Sequence, residues 1–350
     1  MVETPIRIGF LGGGMIAQIA HLPFYLADPR CEVACVAESR PSLVEALSSQ
    51  LGPARVVTDH RALLARRDIA AIVLSAPRAA TGPLTLEALE AGKHVMAEKP
   101  MAHSAAQAQC LVAAARAGRL IYAVGFMKRY DPGVAAAKAL VDEVTAEGRL
   151  GRLLLARFYD FSNAYAMAPP AHVRPKESRV DRFATWPLYP DWLPERFRGV
   201  FPWFLNVASH DVNLLRLFFP DGVEVVAAHC DGSAGVVATM RRGETTILLE
   251  IAKTAAGRWL EGADFLFEHG QIRLVIPSPM ASEAVSEVWL DDARRGLANE
   301  RIAIGHGWSF ARQAAGFIDA LTGRAPPATG GEDALADMVL TEAIWRRMTV

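Results

Sequence analysis

Short runs of consecutive apolar residues alternate with longer, helically spaced stretches along the first third of the chain. The runs lie at 6–11, 32–38, 69–75, 94–98 and 120–126, with a weaker one at 55–58. Unbroken apolar runs of this length are what strands covered on both faces require. The stretches between them begin at Met15, Ser42, His60, Pro83 and Ser104 and place apolar residues on one helical face. Ser42-x-x-Glu45 and Ser104-x-x-Gln107 read as capping boxes, and Gly52 and Gly92 as helix stops. Such regular alternation predicts an α/β fold: a doubly wound parallel sheet of the Rossmann type.

The pattern changes near residue 124. Residues 132–145 predict an amphipathic helix carrying Val134, Ala137, Leu140 and Val141, and residues 151–159 a strand. Further short runs follow at 223–229, 235–240, 245–252, 265–267, 271–276 and 287–290. Hairpin turns at Arg242-Gly-Glu and Glu268-His-Gly join some of them. A C-terminal α+β domain with a largely antiparallel open sheet is expected, with closing helices at 306–321 and 332–348. The expected division is 1–123 for the Rossmann domain and 124–350 for the second. Helices would cover one face of the open sheet, leaving the other for a partner subunit in a dimer or tetramer.

A long connection, 160–202, interrupts the second domain. It holds Tyr165, Trp186, Tyr189 and Trp192, with Trp203 directly after it, and Arg174, Lys176, Arg179, Arg182, Arg196 and Arg198. Long loops in compact domains are often functional. Its aromatics suit a sugar ring or a base, and its arginines a carboxylate or phosphate. The acids Glu177, Asp181, Asp191 and Glu195 offset much of that charge, so a solvated loop with a local apolar cluster is the alternative.

Composition narrows the class. A chain of 350 residues with 51% hydrophobic content is long for one core, in keeping with two domains. A net charge of −1 gives no electrostatic case for nucleic acid. No apolar run reaches the roughly 20 residues of a membrane span, and no basic-then-apolar leader opens the chain. A cytoplasmic protein is expected. Cys31, Cys35, Cys110 and Cys230 form no paired motif, so free thiols are expected and no metal site.

The candidate chemistry begins at Gly12-x-Gly14-x-x-Ala17, between the first strand and first helix. This is the order of a dinucleotide-binding turn. Gly12 permits the sharp turn, Gly14 lets a pyrophosphate approach, and Ala17 lets helix and strand pack closely. Met15 and Ile16 open the helix whose N-terminus favours phosphate. Ligands of such sheets sit at the strands' C-terminal ends. Three loops therefore converge: 12–14, the loop of Ser75, Ala76 and Pro77, and Glu98-Lys99-Pro100. Glu38, at the end of the second strand, stands where an acid bonds the ribose of NAD; Ser39 and Arg40 would instead suit the 2′-phosphate of NADP. NAD is favoured, with NADP left open.

In the second domain, residues 206–217 predict a helix with Asn206 and His210 four apart, hence on one face. An imidazole there can take the proton of a substrate hydroxyl.

Ala91-Gly-Lys-His-Val-Met-Ala-Glu-Lys-Pro100 resembles the signature of the glucose–fructose oxidoreductase/inositol dehydrogenase (Gfo/Idh/MocA) family. Val124-Gly-Phe-Met-Lys-Arg-Tyr-Asp-Pro132, Ser209-His-Asp-Val-Asn-Leu-Leu215 and Phe317-Ile-Asp-Ala-Leu-Thr-Gly323 extend the likeness in order along the chain. The resemblance implies a nicotinamide-dependent dehydrogenase or reductase acting on a sugar, cyclitol or sugar derivative. It marks Lys99 as the active-site lysine, polarising the reacting oxygen, and Asn206 and His210 as the catalytic pair. Asn206 departs from the aspartate of inositol dehydrogenases and lacks the charge that raises histidine basicity. Asn213 also replaces a common aspartate, and Thr81 a frequent histidine. Two other activities occur among such relatives: a glycosidase cycle with transient oxidation by tightly held NAD, and a non-catalytic cofactor-binding regulator.

Overall fold

The computed structural model describes residues 4–161, 171–177, 183–232, 234–255 and 258–349. Its chain forms two compact units. Unit 1 comprises Met1–Phe126 together with two later stretches, Pro169–Pro190 and Phe310–Met338; unit 2 holds the remainder.

In unit 1 the strands are β1 (Ile6–Leu11), β2 (Cys31–Ala37), β3 (Val56–Val57), β4 (Ala71–Leu74), β5 (His94–Ala97) and β6 (Tyr122–Val124). They form one sheet, all pairs parallel, in the order β3-β2-β1-β4-β5-β6. The chain winds outward through β2 and β3, then returns to the other side of β1 with β4. That reversal separates the loops after β1 and β4 and opens the crevice where such sheets bind ligands. The intervening helices are α1 (Leu22–Ala27), α2 (Pro41–Leu51), α3 (His60–Leu64), α4 (Arg78–Glu90) and α5 (Ala105–Gly118). Ile8, Phe10, Val33, Val36, Val73 and Met96 of the strands pack with Leu22, Tyr25 and Leu47 into one core. Phe317 and Ile318 of a late helix, α8 (Ser309–Leu321), join the same core.

Three local expectations are corrected. The first helix is interrupted at Ala17–His21 by a π turn, which carries buried His21. α4 starts at Arg78, five residues before Pro83, which lies inside the helix. Proline has no N–H to give the carbonyl four residues back; that carbonyl, Ala79 O, accepts from the Trp186 N–H at 2.8 Å. Ser42 is no capping box: its side chain makes no cap bond, and the Ser42 hydroxyl and N–H both donate to Glu177, at 2.6 and 2.8 Å. The Glu177 carboxylate thus neutralises the N-terminus of α2 from far along the chain. The second box is present: Ser104 accepts from the Gln107 N–H at 3.1 Å.

In unit 2, α6 (Pro132–Glu147), β7 (Leu153–Asp160) and α7 (Phe201–Phe218) precede a run of strands. These are β8 (Glu224–Cys230), β9 (Gly235–Arg242), β10 (Thr245–Ala252), β11 (Glu261–Phe267), β12 (Gly270–Ile276), β13 (Glu287–Asp292) and β14 (Leu297–Arg301). A last helix, α9 (Gly331–Arg346), leads to β15 (Met348–Thr349). The nine strands order as β14-β13-β12-β11-β7-β10-β9-β8-β15. Pairing is antiparallel except for β7 with β10 and β8 with β15. The inward face of the sheet presents Phe158, Ile247, Leu249, Phe265, Ile272 and Leu290, all buried. Phe158, Phe218 and Phe265 form a tilted and edge-on aromatic cluster, and Trp345 meets Phe197, Phe201 and Phe204 edge-on. β14 and β15 were not foreseen. β14 is exposed along most of its length and has no alternating pattern to read.

Candidate functional site

The loops after β1 and β4 touch at their bases, Gly12 against Ser75, before they diverge. Gly12 has φ +97°, and a Cβ there would stand 2.1 Å from Ser75 O. Only glycine allows this approach. The Gly12 N–H donates to Ala37 O and the Ser75 N–H to Leu11 O, each at 2.9 Å, stitching the turn to its neighbours. A Cβ at Gly14 would meet nothing closer than the Arg40 guanidinium at 3.4 Å, so this side of the turn is open to a ligand. A glycine cradle at the switch point, with an acid at the end of β2, fits a dinucleotide.

Glu38 is 5% exposed and no solvated surface acid. Its Oε2 accepts from the Gly13 N–H at 3.0 Å and from Arg40 Nη2 at 2.6 Å. Its Oε1 accepts from the Ser39 N–H at 2.8 Å and from Arg40 N and Nε at 2.9 Å. Burial alone would raise its pKa; the Arg40 bonds and the Gly13 N–H outweigh it and hold the carboxyl below its ordinary value. Five donors fill a group with about four lone-pair sites. A ribose hydroxyl would therefore take the place of one of them, the Arg40 side chain being the one that can swing.

Gly12, Glu38, Ser39, Arg40, Ser75 and Ala76 line one recess, together with Thr58, His60 and Phe183, which were not foreseen. Gly14, Met15, Ile16, Pro77, Glu98 and Lys99 lie outside its lining. His60 and Phe183 could be found only once the chain was folded, since one heads α3 and the other lies in the long connection. Glu98 Oε1 accepts from the buried His21 ring, 2.9 Å from its Nε2. Its Oε2 accepts from the Lys99 N–H at 3.2 Å, ahead of the cis Lys99–Pro100 bond. Lys99 itself is half-buried.

In unit 2, Asn206 and buried His210 occupy successive turns of α7. Asn213, one turn further, holds Arg129: Nε donates to its Oδ1 at 2.8 Å and Nη2 to its carbonyl at 3.0 Å. Beside His210 in sequence, Asp211 enters a buried cluster with Asp160 and Glu261, their carboxylate atoms within 4.8 Å of one another. Three acids so placed are the one metal-like group among the described residues, but the chain supplies its own cation. The Lys128 ammonium, itself buried, donates to Glu261, whose other oxygen accepts from Trp259 Nε1 at 2.9 Å. Burial pushes Lys128 down, against the pull of Asp211, Asp160 and Asp131. Burial pushes Asp211 up to about 8, with Asp160 adding and Lys128 opposing. Burial thus favours the neutral form of Asp211, and the cluster ties β7, β11 and the Lys128 turn to the part of α7 that carries His210.

Residues 6–126 match the GFO_IDH_MocA family, described as "Oxidoreductase family, NAD-binding Rossmann fold". Over these residues the chain is similar to the NAD-binding domain of the Gfo/Idh/MocA oxidoreductases. A dTDP-3,4-didehydro-2,6-dideoxy-alpha-D-glucose 3-reductase of Streptomyces violaceoruber is 36% identical over 137 residues, 39% of this chain and 40% of that protein. An inositol 2-dehydrogenase of Acidothermus cellulolyticus is 32% identical over 155 residues, 44% of each chain. In these matches the chain spans about two fifths of the relative's length. A longer alignment, at 26% identity, covers 97% of the chain and 89% of an inositol 2-dehydrogenase of Rubrobacter xylanophilus. Among solved structures, a 3-ketoreductase from Actinomadura kijaniata, in complex with TDP-benzene and NADP, superposes with TM-score 0.76 at 22% identity, covering 99% and 98% of the two chains. That likeness shows a shared fold. No helix among the described residues is long and apolar enough to cross a membrane.

Proposed function

We propose that this chain is an NAD(P)-dependent oxidoreductase moving hydride between nicotinamide and a secondary hydroxyl or carbonyl of a sugar, cyclitol or sugar derivative. The observation that carries the reading is the Gly12–Ser75 cradle beside buried Glu38, within a domain matching an NAD-binding family. Sugar-derivative and cyclitol chemistry is what the names of the relatives describe. In this reading the Rossmann domain, 1–123 by sequence, holds the cofactor and the chain from 124 onward supplies the substrate chemistry.

The bound nicotinamide supplies the hydride acceptor or donor. Every other part of the step falls to side chains. On oxidation, His210 takes the hydroxyl proton while the C–H bond of the same carbon gives up its hydride; the electron pair of the O–H bond becomes the second bond of the carbonyl. The Lys99 ammonium stabilises the charge building on that oxygen. Asn206, one turn from His210, orients substrate or imidazole by hydrogen bonding and adds no charge. Reduction runs the same steps backward. The retained Lys99 and His210 favour catalysis over a purely regulatory role.

A second copy of the chain would cover the outward face of the nine-stranded sheet. Val237, Leu266 and Val275 stand 37–45% exposed there, beside Tyr159 and Trp289. The four free cysteines suit the reducing cytoplasm. The experiment is NAD(P)H formation against polyols, aldoses, sugar acids and nucleotide sugars, with both cofactors. Turnover of one class is expected; none with any, under either cofactor, would overturn the reading.

A further inference from the structure

The chain at 171–177 and 183–190 packs within unit 1, although its neighbours in sequence on either side belong to unit 2. Its attachments come from five places in the sequence of the parallel-sheet domain. The Gln18 amide exchanges two hydrogen bonds with the Val173 backbone, at 2.9 and 3.2 Å. Ser42 Oγ accepts from the Lys176 N–H at 3.1 Å while both its own donors go to Glu177. The Phe183 ring meets the His60 ring edge-on, centroids 5.2 Å apart. The Trp186 N–H takes the Ala79 carbonyl that Pro83 leaves over. Gln107 Nε2 donates to Pro187 O at 3.1 Å.

The Trp186 anchor is written into α4. A Cβ on Gly82 would lie 2.3 Å from the indole, so Gly82 makes the notch, and Pro83 leaves the Ala79 carbonyl to accept from the Trp186 backbone N–H. Two adjacent residues that are poor helix formers thus become a socket for one tryptophan. Pinned on either side, Phe183 forms part of the recess that also holds Gly12, Glu38 and Arg40. His60 is fixed in turn by Glu87, whose Oε2 lies 2.8 Å from its Nε2.

In a βαβ site the acid after the second strand faces the adenosine ribose. The space beyond Glu38, bounded by Thr58, His60 and Phe183, is therefore where the base should lie. Two aromatic rings set edge-on make a corner that receives the face of a flat base on one and its edge on the other. We propose that Phe183 and His60 form the adenine-binding wall of the dinucleotide site, and that the strap carrying Phe183 sets how fast the dinucleotide leaves. This rests on the cofactor reading above.

The test is binding, independent of turnover. NADH, ADP-ribose and reduced nicotinamide mononucleotide are titrated by fluorescence or calorimetry, and NADH release is followed by stopped-flow displacement. In Phe183→Ala, NADH and ADP-ribose should both weaken about 5- to 150-fold, the span of base–aromatic stacking. The mononucleotide, which lacks adenine, should bind as before. Phe183→Tyr should retain wild-type affinity. Gly82→Ala, which unseats Trp186 without touching the recess, should speed NADH release. NADH binding by wild type with unchanged affinity and release in Phe183→Ala would overturn this inference and leave the cofactor reading standing. No NADH binding by the wild-type protein would overturn both.

Discussion

Replacing Asp211 by asparagine should flatten the pH dependence of stability on the alkaline side. Asp211 is 1% exposed and pushed up to about 8 from an ordinary 3.8. An acid whose folded pKa is raised binds its proton more tightly when folded. The stability it contributes is full below 3.8 and is lost as pH rises through about 8. From about pH 6 to about pH 9 the loss spans roughly two pKa units at about 1.4 kcal/mol each, hence about 3 kcal/mol. Asparagine has the shape of the neutral acid and never ionises, so the variant escapes that loss. Lys128 has the opposite sign: its folded pKa is lowered, so its contribution is lost as pH falls below 10.5. It is present in both proteins and is itself pulled by Asp211, so the difference between their curves reports the Asp211–Lys128 pair. Between about pH 6 and about pH 9 the urea midpoint of the variant should gain on that of the wild type by the equivalent of about 3 kcal/mol. Parallel curves, or a variant relatively weaker at high pH, would refute the buried neutral carboxyl.

Gly12→Ala places a Cβ against the Ser75 carbonyl at a φ that side chains rarely adopt. It should cost about 2–4 kcal/mol of stability and abolish dinucleotide binding; calorimetry and an NADH titration read both. Val237→Lys, on the outward sheet face, should shift the protein to a smaller assembly in sedimentation equilibrium without changing its far-UV spectrum. An unchanged mass would remove that face from the assembly.

The parallel sheet was legible because its central strands β4 and β5 are largely buried on both faces and because Gly52, Gly92 and Ser104 punctuate the helices. The open sheet was legible where alternation was strong, as in β10, whose inward Ile247, Leu249 and Ile251 fix its register. What escaped was non-local. Pro83 looked like a helix start because its acceptor's true partner, Trp186, lies over a hundred residues away. Ser42 looked like a cap because nothing nearby announces Glu177. Lys128 sat inside a recognised motif with no visible partner, since Asp160, Asp211 and Glu261 come from three separate elements. The connection at 160–202, open to an anion-binding or a solvated-loop reading, divides: Glu177 and Trp186 are engaged in the Rossmann unit, while Tyr165, Arg179, Asp181 and Arg182 lie outside the described residues. The glycine turn, Glu38 and the Lys99 loop were each visible locally; Thr58, His60 and Phe183 were not.

The most direct test of the central claim follows the hydride itself. A polyol or sugar substrate identified in the panel is deuterated at its carbinol carbon, and the reduced nicotinamide is examined by NMR. Deuterium at nicotinamide C4 is expected, with turnover reduced at least about a hundredfold in both Lys99→Ala and His210→Ala. Reduced cofactor without deuterium, or both variants turning over at the wild-type rate, would contradict the account.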